Sequence, residues 1–342
     1  MITLGIDNHK RYSQVAALNE NGTVVMNVKV NNNKQSFESL LNELGEPCEA
    51  VLESGYAWGP TYDLLNDLGV DVTLAHPQKV RAIAAAKIKT DSIDAHTLAQ
   101  LLQADLIPEV CVPTKDIRRQ KDVLRQRCWL VKCRTGLKNR IHALIARNHV
   151  DTSGYSDIFG RSGRALLNNL VLPETEQQLL KQDLALFDSI NEHIKTTEQW
   201  LKGLLSNSRT YEIVQSVPGL GIILSALVAL EIGDIKRFRS PEKLASYSGL
   251  IPSTYASGGK VYHGHLIQGC NQWLRYAFVE AAWTAIKVSP YYRSYYVRLK
   301  AKKQNNIAVA AVARKLSETI YHCLTQNRMY EERNYVYKRS TI

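Results

Sequence analysis

The first 110 residues alternate between short apolar strands and helices, and this pattern constrains the fold more than any other feature of the chain. The turn signal Asn21-Gly22 separates two runs with strand character, as in a β-hairpin. The sequence predicts strands over residues 2–7, 13–18, 24–30, 49–53 and 70–74, and helices over 35–44, 58–68 and 78–102, the last broken near Lys89 and Thr90. An antiparallel meander that continues into alternating helix and strand predicts a mixed α/β sheet flanked by helices.

Helical periodicity replaces this pattern in the rest of the chain. Apolar residues recur every seven positions in two segments, as Leu130, Leu137 and Leu144, and then as Leu180, Phe187, Ile194 and Leu201. Two such segments favour an antiparallel coiled coil or an oligomer interface, and a helical hairpin packed within one chain is the alternative. From Tyr211 onward, glycine and proline punctuate shorter helices. We therefore divide the chain into residues 1–110, 111–210 and 211–342.

Charge favours a polyanionic partner, with DNA as the leading candidate. Lys and Arg number 43 against 32 Asp and Glu, which gives a net charge of +11. No apolar run reaches the roughly 18 residues that a membrane span needs, and the start of the chain reaches Asp7 without a signal-type apolar stretch. The six cysteines have neither CxxC nor zinc-ligand spacing. We expect a cytoplasmic protein with reduced cysteines and no membrane partner.

Four acidic residues follow strands or begin a helix in the first 110 residues. Asp7 shares a strand face with the small residues Thr3 and Gly5, and Glu53 ends an apolar strand. Asp91 and Asp94 are three positions apart at a helix start and so lie on one face. Each alone is explained by a solvated strand end or by helix capping. Together, four carboxylates are suited to hold Mg²⁺ or Mn²⁺ for phosphodiester chemistry.

Two glycine-containing segments lie after Tyr211. The turn at residues 216–221 contains Gly219 and Gly221, whose backbone N–H groups suit phosphate binding, as in a helix-hairpin-helix, although close helix packing explains them equally well. The segment 253–260 predicts a flexible loop in which Ser257 precedes two glycines. A serine here could attack a phosphate, and Ser253 and Tyr255 carry the alternative hydroxyl groups. The candidate phosphate contacts near Ser257 are Lys260, His263, His265 and Arg275.

The segment 115–149 is strongly basic, with eleven Lys or Arg residues against two Asp. Such an imbalance exceeds what solubility requires and predicts contact with a phosphate backbone. The residues predicted to bind nucleic acid are Arg118, Arg119, Arg125, Arg127, Lys132, Arg134, Lys138, Arg140, Gly219, Gly221, Lys260 and Arg275.

The order Gly-Ile-Asp at Asp7, Leu-Glu-Ser-Gly-Tyr at Glu53 and Lys-Thr-Asp-Ser-Ile-Asp-Ala at Asp91 and Asp94 resembles the DEDD motif of insertion-sequence family one-ten transposases, relatives of Piv-type DNA invertases. The resemblance covers nearly the whole chain. It implies an α/β RuvC-like (RNase H-type) domain, a helical coiled-coil insertion and a mostly α C-terminal transposase domain. The pair Asn8-His9 departs from the family pattern, in which a small or apolar residue and then Ser commonly follow the first Asp, and Ile267-Gln268 replaces a stretch that is often basic.

The resemblance also implies a mechanism and partners. Ser257 becomes the nucleophile, and the acids of one subunit serve the serine of another in a dimer or tetramer. A noncoding guide RNA pairs with donor and target DNA, at the nucleoid of a bacterial or archaeal cell. Three alternatives stay open at this point: a metal-dependent junction nuclease in which Ser257 is structural, a DNA invertase without RNA guidance, and a binding protein without catalysis.

Overall fold

The computed structural model describes residues 1–84 and 90–332, apart from the side chain of His263. The chain forms two compact units, Met1–Pro113 and Thr114–Ile342. The second unit contains both regions that the sequence separates at residue 210, because side chains of the long helices, such as Leu124 and Leu201, pack into the C-terminal core. Within the described part of the chain, no helix is both long and apolar enough to cross a membrane.

The first unit is built on a mixed five-stranded sheet, as the sequence predicts. Its strands, in the order β3-β2-β1-β4-β5, are β1 (Ile2–Asn8), β2 (Tyr12–Leu18), β3 (Val24–Asn31), β4 (Cys48–Glu53) and β5 (Asp71–Ala75). The meander β1-β2-β3 is antiparallel, whereas β4 pairs in parallel with both β1 and β5. The carboxyl ends of β1 and β4 therefore meet at one edge of the sheet.

Helices cover both faces of this sheet. They are α1 (Lys34–Leu44), α2 (Trp58–Asp67), α3 (Pro77–Ile83) and α4 (Asp91–Gln103). One core joins the sheet to α1 and α2 around Phe37 and Leu65, and a second joins it to α3 and α4 around Val80 and Leu98. The predicted break between the last two helices is confirmed at Thr90, which caps α4, while Lys89 lies outside the described residues.

Helix α4 approaches β1 unusually closely. A Cβ atom added at Gly5 would lie 1.9 Å from the carbonyl oxygen of Ala95 and 2.5 Å from the backbone nitrogen of Ala99. Only glycine permits this approach, and alanine on the helix side keeps the gap narrow. The space that small residues leave on this face of β1 is therefore filled by the backbone of α4.

The second unit begins with a long pair of helices. α5 (Lys115–Arg147) is followed by α6 (Arg161–Asn169) and by α7 (Glu174–Leu205). The heptad residues of α7 and three of those on α5, Leu130, Leu137 and Leu144, are all buried, which confirms the predicted apolar stripe. Three polar contacts show that the two helices are antiparallel, because the partners on α7 have decreasing numbers as the residues on α5 increase. The contacts join Arg127 to Glu198, Arg134 to Asn191 and Arg140 to Asp183. Within one chain, the two helices form a packed hairpin.

The remainder of the second unit is mostly helical, as predicted. Its helices are α8 (Arg209–Gln215), α9 (Ile222–Ile232), α10 (Pro241–Tyr247), α11 (Gln272–Val288), α12 (Pro290–Lys300) and α13 (Asn305–Thr325). The prediction of a flexible loop at 253–260 is wrong. Most of this segment belongs to an antiparallel hairpin of β6 (Pro252–Ser257) and β7 (Lys260–Leu266). Two tyrosines of α12, Tyr292 and Tyr296, are buried packing residues.

Candidate functional site

The first two acids of the predicted set lie side by side at the sheet edge. Ile6 of β1 pairs in parallel register with Leu52 of β4, so the next residues, Asp7 and Glu53, lie at the same level of the sheet. Both carboxylates are partly exposed. Because neighbouring parallel strands end together, two acids that are distant in sequence become neighbours.

The other two acids lie in the first turn of α4. The side chain of Thr90 is the N-cap, and its hydroxyl oxygen accepts a hydrogen bond from the backbone N–H of Ile93 at 3.3 Å. Thr90 therefore takes the N-cap position, and Asp91 and Asp94 both lie in the first turn that follows it. The close packing of α4 on β1 carries both aspartates toward the sheet edge, and their charges also favour the positive end of the helix dipole.

All four acids line one cavity of about 490 Å³ in the first unit. His9 and Arg81 line it as well, and neither is among the residues that the sequence analysis selected. The Nε2 atom of His9 lies 3.0 Å from Oδ2 of Asp91 and 3.3 Å from Oδ2 of Asp7. Potential ligand atoms of Asp7, His9 and Asp91 all lie within 4.8 Å of one another. This donor set of carboxylates and one imidazole suits a divalent cation.

Sequence signals for the two additional residues were weak. His9 stands at the departure from the family pattern after Asp7, which marked it as unusual without indicating a role. Arg81 is an ordinary exposed cation in the last turn of α3, and only the cavity gives it significance. An arginine beside an acidic cavity is suited to contact the phosphate of a substrate.

Tyr12 supports the same wall of the cavity. Its hydroxyl donates to Oδ2 of Asp91 at 3.4 Å, and its ring lies beside that of His9 with centroids 4.8 Å apart. Partial loss of solvent, followed by the negative charge of Asp91, raises the pKa of Tyr12. The phenol therefore stays protonated at neutral pH and remains a hydrogen-bond donor to Asp91.

Ser257 lies at the tip of the β6-β7 hairpin, in the second unit. It pairs with Lys260 across a two-residue turn in which Gly258 and Gly259 have φ angles of 56° and 74°. Positive φ at both central positions is typical of the tight turns that match strand twist. Ser257 and Lys260 are both exposed, so the hairpin presents a hydroxyl and a cation together.

The other candidates near this hairpin divide into exposed and structural residues. Tyr255 is exposed, whereas Ser253 lies against Gly264, where an added Cβ would be 2.5 Å from the serine Oγ. Arg275 donates to the backbone oxygen of Ile267, so this guanidinium has a structural role. His265 is exposed, and His263 has no described side chain.

The glycine turn between α8 and α9 contains one packing glycine and one open glycine. Gly219 has a φ of 89°, and an added Cβ would lie 2.2 Å from the carbonyl oxygen of Ala281 in α11. Gly221 is the N-cap of α9, and no atom lies within 4 Å of an added Cβ. Close packing therefore explains Gly219, whereas no close neighbour among the described residues explains Gly221.

The basic helix α5 is largely paired within the protein. Arg127, Arg134 and Arg140 contact α7 as described above, and Arg119 pairs with Asp116 at 3.4 Å on the surface. Lys138 lies over the ring of Phe159, 4.6 Å from its centroid. Acids of α7 thus neutralise Arg127 and Arg140, whereas Asn191 and Phe159 leave the charges of their cations in place. Lys132 is exposed, and Arg118 is half-buried.

A buried carboxylate, Glu231 of α9, pairs with two more cations of α5. It accepts from Lys121 at 3.1 Å, from Arg125 at 2.6 Å and from the Asn271 amide at 2.9 Å. Burial by itself would raise the pKa of Glu231, but Lys121, Asn271 and Arg125 outweigh it and hold the pKa below its ordinary value. Asn271 also caps α11, so this cluster joins three helices.

Comparison with known proteins identifies the family. A model of DEDD transposases of the IS110 type matches residues 4–149, and a model described as the transposase IS116/IS110/IS902 family matches residues 211–297. Together the two matches cover about two thirds of the chain and include all four acids and Ser257.

Curated relatives agree with these matches over most of the chain. The transposase for insertion sequence element IS1328 of Yersinia enterocolitica is 24% identical over 84% of this chain and 86% of its own length. The transposase for IS1111A of Coxiella burnetii is 24% identical over 96% of this chain and 90% of its own length. The mini-circle putative transposase for IS117 of Streptomyces coelicolor is 31% identical over 47% of this chain and 40% of its own length. The chain therefore belongs to the IS116/IS110/IS902 family of transposases, enzymes that cut and rejoin DNA.

Proposed function

We propose that the chain transposes DNA with two chemical centres, a divalent metal site formed by Asp7, Glu53, Asp91 and Asp94, and a nucleophilic Ser257. The observation that carries the proposal is the convergence of the four carboxylates on one cavity from β1, β4 and α4. Three separate segments rarely place acids together unless their mutual repulsion is offset by a cation. The mixed sheet with acids at the ends of adjacent parallel strands also supports a RuvC-like, RNase H-type fold for the first unit.

The reaction is a phosphodiester exchange. Ser257 Oγ loses its proton and bonds to phosphorus, one P–O ester bond of the strand breaks, and the departing hydroxyl takes up a proton. Attack by a hydroxyl of another strand then restores the phosphodiester and releases the serine with a proton. The number of ester bonds is conserved, so ATP is not required. A bound divalent ion supplies charge stabilisation at the attacking and leaving oxygens.

The proposed partners are donor and target DNA, a noncoding guide RNA and further copies of this chain in a dimer or tetramer. The net charge of +11 and the exposed cations Lys132 and Lys260 support a nucleic-acid surface. The guide RNA and the sharing of acids and serine between subunits follow from the family resemblance. The α5-α7 hairpin offers an extended surface for such an assembly.

The test uses the gene with its flanking DNA in a bacterial host, with new DNA junctions measured by quantitative amplification. Asp7→Asn and Ser257→Ala are each expected to abolish junctions. Asp71→Asn, at an exposed acid on β5 outside the cavity, should leave them unchanged. Junctions that persist in Asp7→Asn would refute the metal site. Deleting the flanking noncoding segment tests RNA guidance, and undiminished junctions would refute it.

Covalent chemistry is tested with purified protein and DNA of the element ends on a denaturing gel. A protein–DNA adduct is expected for the native chain and for Ser253→Ala, and none for Ser257→Ala. If Ser257→Ala still cleaves DNA in Mg²⁺ without an adduct, the protein is a metal-dependent nuclease of the junction-resolving kind. If it loses the adduct and cleavage together, the nucleophilic role of Ser257 stands.

A further inference from the structure

His9 lies among the proposed metal ligands although it belongs to the turn after β1. Its Nε2 atom is 3.0 Å from Oδ2 of Asp91 and 3.3 Å from Oδ2 of Asp7, and its side chain is 38% exposed. Among the described residues that line the acid cavity, it is the one histidine. A ligand role would thus give the centre one nitrogen donor among oxygens.

Hydrogen bonds on both sides of the turn hold the backbone of His9. The N–H of His9 donates to the carbonyl oxygen of Tyr12 at 2.9 Å, and the carbonyl oxygen of His9 accepts from Nδ2 of Asn32 at 2.7 Å. The preceding residue, Asn8, donates to the carbonyl oxygen of Ala57 and accepts from the hydroxyl of Thr61. A turn held from both sides fixes the backbone from which the His9 side chain projects, which favours a preorganised ligand.

Two of the three spacings among the ligand atoms, both from His9, are close to the spacing of adjacent corners of an octahedron. Ligands at about 2.1 Å from an ion and at right angles to one another lie about 3.0 Å apart. The two His9 distances of 3.0 and 3.3 Å are close to this value, and the whole set lies within 4.8 Å. His9 therefore lies at a distance from both carboxylates that a shared ion allows.

An imidazole nitrogen changes the preference of the site. Mg²⁺ keeps oxygen ligands, whereas first-row transition ions, of which Mn²⁺ binds most weakly, also accept an imidazole nitrogen. We propose that His9 Nε2 is a direct metal ligand beside Asp7 and Asp91, and that it makes this centre select Mn²⁺ over Mg²⁺. The inference rests on the proposed metal site and specifies which ion occupies it.

The competing explanation is an ion pair in which a protonated His9 bridges the two carboxylates and leaves when an ion enters. In that case His9 would compete with the metal, and its removal would strengthen binding. A direct ligand predicts the opposite direction. The two explanations therefore differ in the sign of one measured affinity.

The experiment is a titration of the full-length protein with MnCl₂ alone, followed by electron spin-echo spectroscopy of the bound Mn²⁺. The native chain and the control His193→Gln, an exposed histidine on α7, are expected to show the modulation of a directly bound ¹⁴N nucleus. His9→Gln should lose this modulation and bind Mn²⁺ about tenfold or more weakly. Its Mg²⁺ affinity, measured by calorimetry, should change by less than about threefold.

The outcomes separate the inference from the proposed function. Tight Mn²⁺ binding without nitrogen modulation, or tighter binding by His9→Gln, overturns the role of His9 and leaves the acid site intact. If the native chain binds neither Mn²⁺ nor Mg²⁺, the proposed metal site itself fails. Native protein labelled with ¹⁵N-histidine gives a second measurement without any substitution: the coupling must change to that of ¹⁵N, and an unchanged ¹⁴N signal overturns the inference even if His9→Gln does not fold.

Discussion

Replacing Gly5 by Ala tests whether the close packing of α4 on β1 positions the acid site. The added Cβ would lie 1.9 Å from the Ala95 carbonyl oxygen, and ordinary contact begins at 3.4 Å, so the atoms must separate by about 1.5 Å. Both obstructing groups, at Ala95 and Ala99, are backbone atoms, which cannot move aside by rotating a side chain. Overpacking of this kind costs about 1–3 kcal/mol.

The displacement should also reach the chemistry. Asp91 and Asp94 are on the first turn of α4, while Asp7 is two residues beyond Gly5 on β1. Moving the helix by more than 1 Å separates carboxylates that must approach a common ion, and a misplacement of about 1 Å can cost roughly a hundredfold in activity. We therefore expect Gly5→Ala to weaken metal binding and transposition while the second unit stays folded.

Hydrogen exchange of the full-length protein, resolved by peptide, measures the packing effect. A loss of about 1–3 kcal/mol corresponds to roughly 5- to 140-fold faster exchange of peptides from β1 and α4. Gly136→Ala, in α5, is the control, because no atom of the described residues lies within 4 Å of its added Cβ. Equal exchange rates and equal Mn²⁺ affinity in the two variants would refute the claim that Gly5 sets the position of α4.

Three further predictions concern the second unit. Gly219→Ala should lower the free energy of unfolding by about 1–3 kcal/mol, and Gly221→Ala by no more than about 1 kcal/mol; equal losses in thermal melts would contradict the packing role of Gly219. Glu231→Gln should lower the free energy of unfolding by about 3–5 kcal/mol at pH 7, because Lys121 and Arg125 lose their charged partner. Since folding lowers the pKa of Glu231, its contribution to stability is complete above about pH 4.5 and is lost as the pH falls through the folded-state pKa. Urea melts should show this acid-induced loss of stability in the native chain and less of it in Glu231→Gln. Lys132→Ala should reduce the slope of log affinity against log salt for DNA by about 1 without changing the melting temperature, and an unchanged slope would exclude Lys132 from the interface.

Much of the first unit could be predicted from local sequence patterns. Strand alternation, turn residues and the positions of Asp7 and Glu53 at strand ends are properties of short windows, so the order of elements and the mixed sheet were predicted correctly. Family resemblance selected Asp91 and Asp94, which the local pattern alone assigned to helix capping. In the structure Thr90 takes the N-cap position, which is visible only in the hydrogen bonds.

The charged helix shows where prediction from one segment fails. Its excess of Lys and Arg suggested a continuous phosphate-binding face, yet Arg140 pairs with Asp183 and Arg125 with Glu231. Those acids lie in other helices, so a count of charges along α5 could not include them. The nucleic-acid interface that we propose therefore centres on exposed residues such as Lys132.

By itself the sequence determined the elements, the apolar stripes and the identity of the chemical groups, because these depend on neighbours within a few residues. Only the tertiary structure decided which groups meet. It placed His9 against Asp91, gave Gly5 its function as a contact for α4, and turned the predicted loop at Ser257 into a hairpin tip. Contacts between distant segments depend on packing to within an ångström, and no local pattern encodes that distance.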